Sequence, residues 1–177
     1  MDQETTISSE HPFSGKLIKV RVDEVLLPGG KKTRREVVVH RGAAAIVAIE
    51  NGQVLLERQY RHTAGRVIWE IPAGTMEEGE DPRDCALREL EEETGYTAAD
   101  VEELIHFFAA VGYSTEIIYV FIARGLKKRK ASPDEDESIE PVMLPLDEAI
   151  TMIGRNEIED GKSIIGLLLA HNRLVNR

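Results

Sequence analysis

The sequence predicts an α/β fold, with a mixed sheet between helical layers behind a small N-terminal antiparallel hairpin or sheet. Two observations carry this. Short segments with strand patterning, bounded by turn residues, lie on both sides of one helical stretch near the middle of the chain. Two more helical stretches close the chain, and that order of elements fits a sheet covered by helices.

Residues 1–14 read as a loose, flexible tail, polar and without periodicity. From Lys16 the pattern alternates: Ile18, Val20 and Val22 face one way, Lys19, Arg21 and Asp23 the other, as in a half-buried strand. Pro28-Gly29-Gly30 is a turn, and Thr33 to Val39 reads as the returning strand. Ala43 to Ile49 and Gln53 to Arg58 form two more strands around Asn51-Gly52, a hairpin dipeptide that accepts positive φ. Val67 to Ile71 is a short strand ending at Pro72. In the central helix Asp81 caps the start, Pro82 fits the first turn and Gly95 the stop. Ala86, Leu87 and Leu90 supply its apolar contacts. Val101 to Ala110, Tyr113 to Ala123 and Val142 to Leu144 read as strands, and Gly125 to Ile139 as a long polar loop. Leu146 to Gly154 and Ser163 to Val175 are helices, with Asp147 and Ser163 near their starts.

The chain has 177 residues, the size of one domain with at most a small appendage. A net charge of −10 argues against generic binding to nucleic acid or acidic membranes, which needs a basic footprint. It also repels anionic substrates at long range, so an anionic substrate needs local arginines and metal to hold it. The single cysteine, Cys85, excludes an internal disulfide framework and reads as a small packed side chain. No secretory signal or membrane-length apolar run is visible, so the expected compartment is the cytoplasm.

The chemistry concentrates behind Gly74. Five residues separate it from Glu80, and seven more lead to Arg88-Glu89-Leu90-Glu91-Glu92-Glu93-Thr94-Gly95-Tyr96. On a helix, Glu89, Glu92 and Glu93 fall at i, i+3 and i+4 and point the same way. Unpaired carboxylates at that spacing repel, so a bound cation is the simplest reason to keep them. Oxygen-only ligands suit Mg²⁺ first and Mn²⁺ second. A solvated acidic helix accounts for Glu91 but not for the spacing of Gly74, Glu80, Arg88 and Gly95.

This run, 23 positions from Gly74 to Tyr96, resembles the Nudix box in residue types and both spacers; Tyr96 stands where a bulky aliphatic residue is more usual. The resemblance implies a Nudix hydrolase with an α/β/α sandwich, cleaving a nucleoside diphosphate linked to another group. It implies Glu89, Glu92 and Glu93 as metal-holding residues, the Ala73 carbonyl as a further ligand, and Pro72 and Gly74 as flanks that fix its direction. Arg88 is expected to orient the carboxylates, Glu80 to partner from behind, and Gly95 to stop the helix. The general base stays open. One source is the box, at Glu89 or Glu92; the other is a downstream acidic loop, Asp134-Glu135-Asp136-Glu137. In register with the ADP-ribose branch of the family, Glu135 is the base there and Glu137 a further metal contact. A solvated acidic loop is the plain alternative.

Upstream, Glu57-Arg58-Gln59-Tyr60-Arg61-His62 and Trp69-Glu70-Ile71-Pro72-Ala73-Gly74 resemble ADP-ribose pyrophosphatases, a likeness running from about Phe13 to the C-terminus. It implies cleavage of ADP-ribose to AMP and ribose 5-phosphate. It also implies a homodimer through a hairpin region at 15–41, ahead of a hydrolase domain at 42–177. Arg58 or Arg61 then pairs with phosphate, Glu70 accepts from the terminal ribose or a neighbouring arginine, and Glu116 resembles an acid that follows the box in that branch. Val111 stands where that branch usually has proline. GDP-mannose-type sugars and dinucleotides such as NADH or FAD are the neighbouring substrate classes, and a non-catalytic nucleotide-binding regulator is the rival class. Gly30-Lys31-Lys32-Thr33 is a hairpin turn rather than a phosphate loop, Lys127 to Lys130 a solvated basic run, and His106 is expected in the core.

Overall fold

A computed structural model describes residues 3–129 and 138–175. The chain divides into two compact units: the described part of Met1–Gly42 with Phe107–Ile117, and Ala43–His106 with the described part of Ile118–Arg177.

The first unit is a three-stranded antiparallel sheet of β1 (Thr5–Ser14), β2 (Lys19–Leu26) and β3 (Lys32–Val39), in that order. β2 and β3 pair without a slip from Lys19 opposite Val39 to Leu26 opposite Lys32, and Gly30 supplies a φ of +80° in their turn. Thr5–Ser14, expected as a flexible tail, is instead a strand. All ten of its residues are exposed, so it lacks the alternation by which strands are read. The backbone ladder to β2 holds it, helped by the Ser9 hydroxyl donating to Asp23 at 2.6 Å and by Arg35 paired with Glu4 at 2.5 Å. Tyr113, expected to open a strand, lies in a turn whose carbonyl accepts from the Val38 N–H at 2.7 Å.

The second unit begins with β4 (Ala43–Glu50), β5 (Gln53–Arg61), β6 (Arg66–Glu70) and β7 (Ala73–Thr75), followed by helix α1 (Pro82–Thr94). Then come β8 (Tyr96–Thr97), β9 (Asp100–Phe108), β10 (Ile117–Arg124), β11 (Lys127–Lys128) and β12 (Ile139–Pro145). α2 (Leu146–Gly154) and α3 (Gly161–Val175) end the chain. The main sheet runs β12-β5-β4-β10-β9, with β6 added on β5 and β7 on β4. β4 and β10 are parallel, while β5 pairs antiparallel with β4, β6 and β12, so the sheet is mixed as expected. Asn51 (φ 51°) and Gly52 (φ 76°) both take positive φ in the β4–β5 turn, which is what a two-residue hairpin of this hand requires.

β4 is apolar almost throughout because both its faces are covered. Ala44, Ile46 and Ala48 pack with Ala86 and Leu90 of α1. On the other face Gly166 of α3 lies so close that an added Cβ would stand 2.9 Å from Val47 and 3.1 Å from Val120. Helices on two faces of one sheet make the α/β/α sandwich. Asp160 starts α3 by accepting from the Ser163 N–H at 3.0 Å and the Ser163 hydroxyl at 2.6 Å, one turn before the predicted start. His106 is exposed and bonded to Glu103 at 2.8 Å, not buried in the core. Among the described residues no helix is long and apolar enough to cross a membrane.

Candidate active site

Helix α1 carries the site because its boundaries are chemically set. Asp81 accepts from the Arg83 N–H at 2.9 Å, Pro82 occupies the first turn, and Gly95 closes the helix at φ 73°. Ala86, Leu90 and Glu93 follow one another at i, i+4 and i+7, so Glu93 falls on the stripe that faces the sheet and is buried. Glu89 and Glu92 lie half-buried beside that stripe.

Opposite α1 is the Ala73-Gly74 step of β7, held on β4 with Ala73 opposite Ala45 and Gly74 opposite Ala44. The buried Glu93 carboxylate accepts from the Ala73 N–H at 3.0 Å. Glu89 presses on Gly74: a Cβ there would stand 1.9 Å from its Oε1. Glycine is therefore needed for close approach rather than for φ. Two box carboxylates thus clasp the Ala73-Gly74 peptide.

Arg88 resolves the expected repulsion. It binds Glu80 through two bonds of 2.8 and 3.1 Å, Glu89 at 2.7 Å and Glu92 at 2.9 Å. The Arg88 hydrogen bonds hold the Glu80 carboxyl down to about 2, and the Arg88 guanidinium is itself held charged, first by Glu80. Arg88 therefore orients carboxylates. Glu80 also accepts from the Glu77 N–H at 2.8 Å, fixing the loop that leads into the helix. Cys85 is fully buried, and burial pushes its thiol up to about 12, so it is a packed side chain without thiolate chemistry.

On β5 the odd positions face one way and the even ones the other. Arg58 is partly exposed, pairs with Glu140 at 2.8 Å and lies 5.4 Å over the Trp69 ring. Arg61 is bidentate to the buried Glu70 at 2.6 and 2.9 Å, and Lys162 also binds Glu70. Burial alone would raise the Glu70 carboxyl, but these cations outweigh it and hold it at about 2. Of the two partners expected for Glu70, the structure thus supplies the arginine.

Sequence reasoning assigned no role to Glu57. It is 2% exposed, lies within reach of the Glu93 carboxyl, and its Oε1 has no partner among the described residues. Burial, then the charge of Glu70 across the strand pair, pushes its carboxyl upward. Its signal was readable in part: an acid in phase with the buried Leu55, directly after Val54-Leu55-Leu56.

Among the described residues no three His, Cys, Asp or Glu side chains already converge on one cation site. Arg88 draws Glu89 and Glu92, while Glu93 is turned to Ala73. The residues nevertheless fit a hard divalent ion. The donors are all oxygen, Gly74 lets the Glu89 carboxylate come where a Cβ would stand, and a buried carboxyl oxygen is left without a partner. Glu116 belongs to the N-terminal unit, 3.6 Å from His40. Glu135 and Glu137 lie outside the described residues.

This geometry, a helix that sets Glu89 and Glu93 against a glycine-containing strand while Arg88 holds Glu80, Glu89 and Glu92, is a Nudix box in place. Residues 39–165 match the NUDIX domain family, and the chain belongs to it. Residues 4–38 match the nucleoside diphosphate sugar hydrolase N-terminal domain. The chain is 46% identical over 168 residues to the methanol dehydrogenase activator of Bacillus methanolicus, covering 93% of this chain and 91% of that one. It is 42% identical over 164 residues to the ADP-ribose pyrophosphatase of Bacillus subtilis (strain 168), covering 91% and 89%. A solved structure described as an ADP compounds hydrolase superposes with a TM-score of 0.89 at 22% identity, over 99% of this chain and 96% of that chain, which shows the shared fold.

Proposed function

We propose that this Nudix hydrolase cleaves the pyrophosphate bond of a nucleoside diphosphate joined to a sugar, with ADP-ribose as substrate and AMP and ribose 5-phosphate as products. The observation that carries this is the Ala73-Gly74 peptide clasped by Glu89 and Glu93, with Arg88 holding the flanking acids. The relative named ADP-ribose pyrophosphatase supports the substrate. Glu89, Glu92, Glu93 and the Ala73 carbonyl would hold Mg²⁺, with Mn²⁺ as a substitute. A divalent ion at such a site supplies charge neutralisation for phosphate oxygens and acidifies water. Arg88 keeps Glu89 and Glu92 aligned, and the Ala73 N–H keeps Glu93 aligned. Arg58, partly exposed beside Trp69, is the better phosphate contact, because both arms of the Arg61 fork engage Glu70. Glu135 is the proposed base and Glu137 a further metal contact, on the sequence register alone.

ADP-ribose, GDP-mannose, NADH and 8-oxo-dGTP are to be incubated with enzyme and Mg²⁺ and the products separated. ADP-ribose should react fastest, with activity lost in chelator and restored by Mg²⁺ or Mn²⁺. Undiminished hydrolysis in chelator would sink the metal reading. The relative named as a dehydrogenase activator favours a second reading, a nucleotide-binding regulator. Tight binding of one of these compounds with no hydrolysis would establish it instead.

The chain is also proposed to form a homodimer through its N-terminal sheet. Ile7, Phe13 and Leu17 are 46%, 53% and 57% exposed there, and a sheet this small gains stability from a partner surface. Light scattering at micromolar concentration should give twice the 19.8 kDa chain mass; a monomer would refute the dimer.

A further inference from the structure

We propose that Glu57 of β5 is a further oxygen donor for the divalent ion at the Nudix box, joining Glu93 and the Ala73 carbonyl. This deepens the functional reading above and rests on it.

The strand around Glu57 is apolar core: Val54, Leu55 and Leu56 are at most 1% exposed. Three acids with buried side chains meet near this point, Glu57, Glu70 and Glu93. Two of them are answered within the protein. Glu70 has Arg61 and Lys162, and Glu93 has the Ala73 N–H. Glu57 faces Glu70 across the β5–β6 pair and lies beside Glu93; the charges of Lys162 and Arg61 also act on it, but both cations hydrogen-bond to Glu70. Its Oε1 is buried and without a partner among the described residues. An unmatched buried oxygen is destabilising, and a valine would fit the strand without that cost. A cation held by Glu93 would meet this oxygen's demand directly. The two oxygens of one carboxyl lie about 2 Å apart by covalent geometry. Since the carboxyl lies within reach of Glu93, Oε1 is in Glu93's immediate surroundings. The competing account makes Glu57 a protonated prop that steadies Glu93 without meeting the ion.

The two accounts part on metal affinity in the absence of substrate. Mn²⁺ binding is to be followed by electron paramagnetic resonance on wild-type protein, Glu57→Gln and Glu93→Gln, with melting of each in chelator. Glu57→Gln keeps the shape and can donate a hydrogen bond to Glu93. The expected result is a Mn²⁺ affinity weakened roughly 10- to 100-fold, the usual effect of losing a group that supports a metal, with a chelator melting temperature equal to or above wild type. Glu57→Val, suited to a buried strand, should show the same affinity loss and serves if the glutamine variant does not fold. Wild-type Mn²⁺ affinity in Glu57→Gln, alongside a loss in Glu93→Gln, would overturn the proposal and leave the hydrolase reading intact. An affinity loss matched by a lower melting temperature in chelator for both variants would make Glu57 a prop and also overturn it. Failure of the wild-type protein to bind Mn²⁺ at all would overturn both readings.

Discussion

Glu93→Gln is expected to lower turnover at saturating Mg²⁺ by ~10²-fold or more, the scale on which a lost charge-stabilising group acts elsewhere. Glu93 is 5% exposed, on the sheet-facing stripe of α1, and accepts from the Ala73 N–H at 3.0 Å. The glutamine carbonyl can still accept that N–H, so the link between α1 and β7 survives. Size and packing are also kept. What disappears is one negative charge at the point where the box helix meets the peptide that it clasps. Melting temperature should therefore change little while the rate collapses. Steady-state kinetics on ADP-ribose across a Mg²⁺ series is the measurement. Near-normal turnover would mean that the cation is held by another face of the helix.

The second large effect is expected from Gly74→Ala. Gly74 does not use a positive φ, so alanine brings no backbone strain. It brings a Cβ that would stand 1.9 Å from Glu89 Oε1 and 2.0 Å from its carboxyl carbon. Those atoms are the far end of a flexible side chain, so the carboxylate moves and the fold persists. Moving it breaks the 2.7 Å bond to Arg88 and takes Glu89 out of its place beside β7. A displacement of about 1 Å in a catalytic constellation costs on the order of 10²-fold in rate. Activity should fall by about that factor with the melting curve nearly unchanged. Wild-type activity in Gly74→Ala would show that the position of Glu89 in this structure is not the working one. A collapse of the melting curve would show instead that the Gly74–Glu89 approach holds the fold together.

What the sequence determined by itself was what local chemistry decides. Asp81, Pro82 and Gly95 set the ends of α1 through groups within a few residues of one another. The 3.6-residue period then put Glu89, Glu92 and Glu93 on adjacent positions, and Asn51-Gly52 specified a hairpin through its own φ preferences. The box and its spacers identified the family because they are short-range patterns. The tertiary structure decided which partner each charge meets. Lys162 reaches Glu70 across 92 residues, Glu93 reaches Ala73 across 20, and no local pattern encodes either pairing. Thr5–Ser14 became a strand through backbone pairing to β2, with no buried face to betray it. Glu57 shows the division most sharply. Its charge is plain in the sequence, but its burial beside Glu93 comes from the place of β5 in the sheet that α1 covers, which only the folded chain brings about.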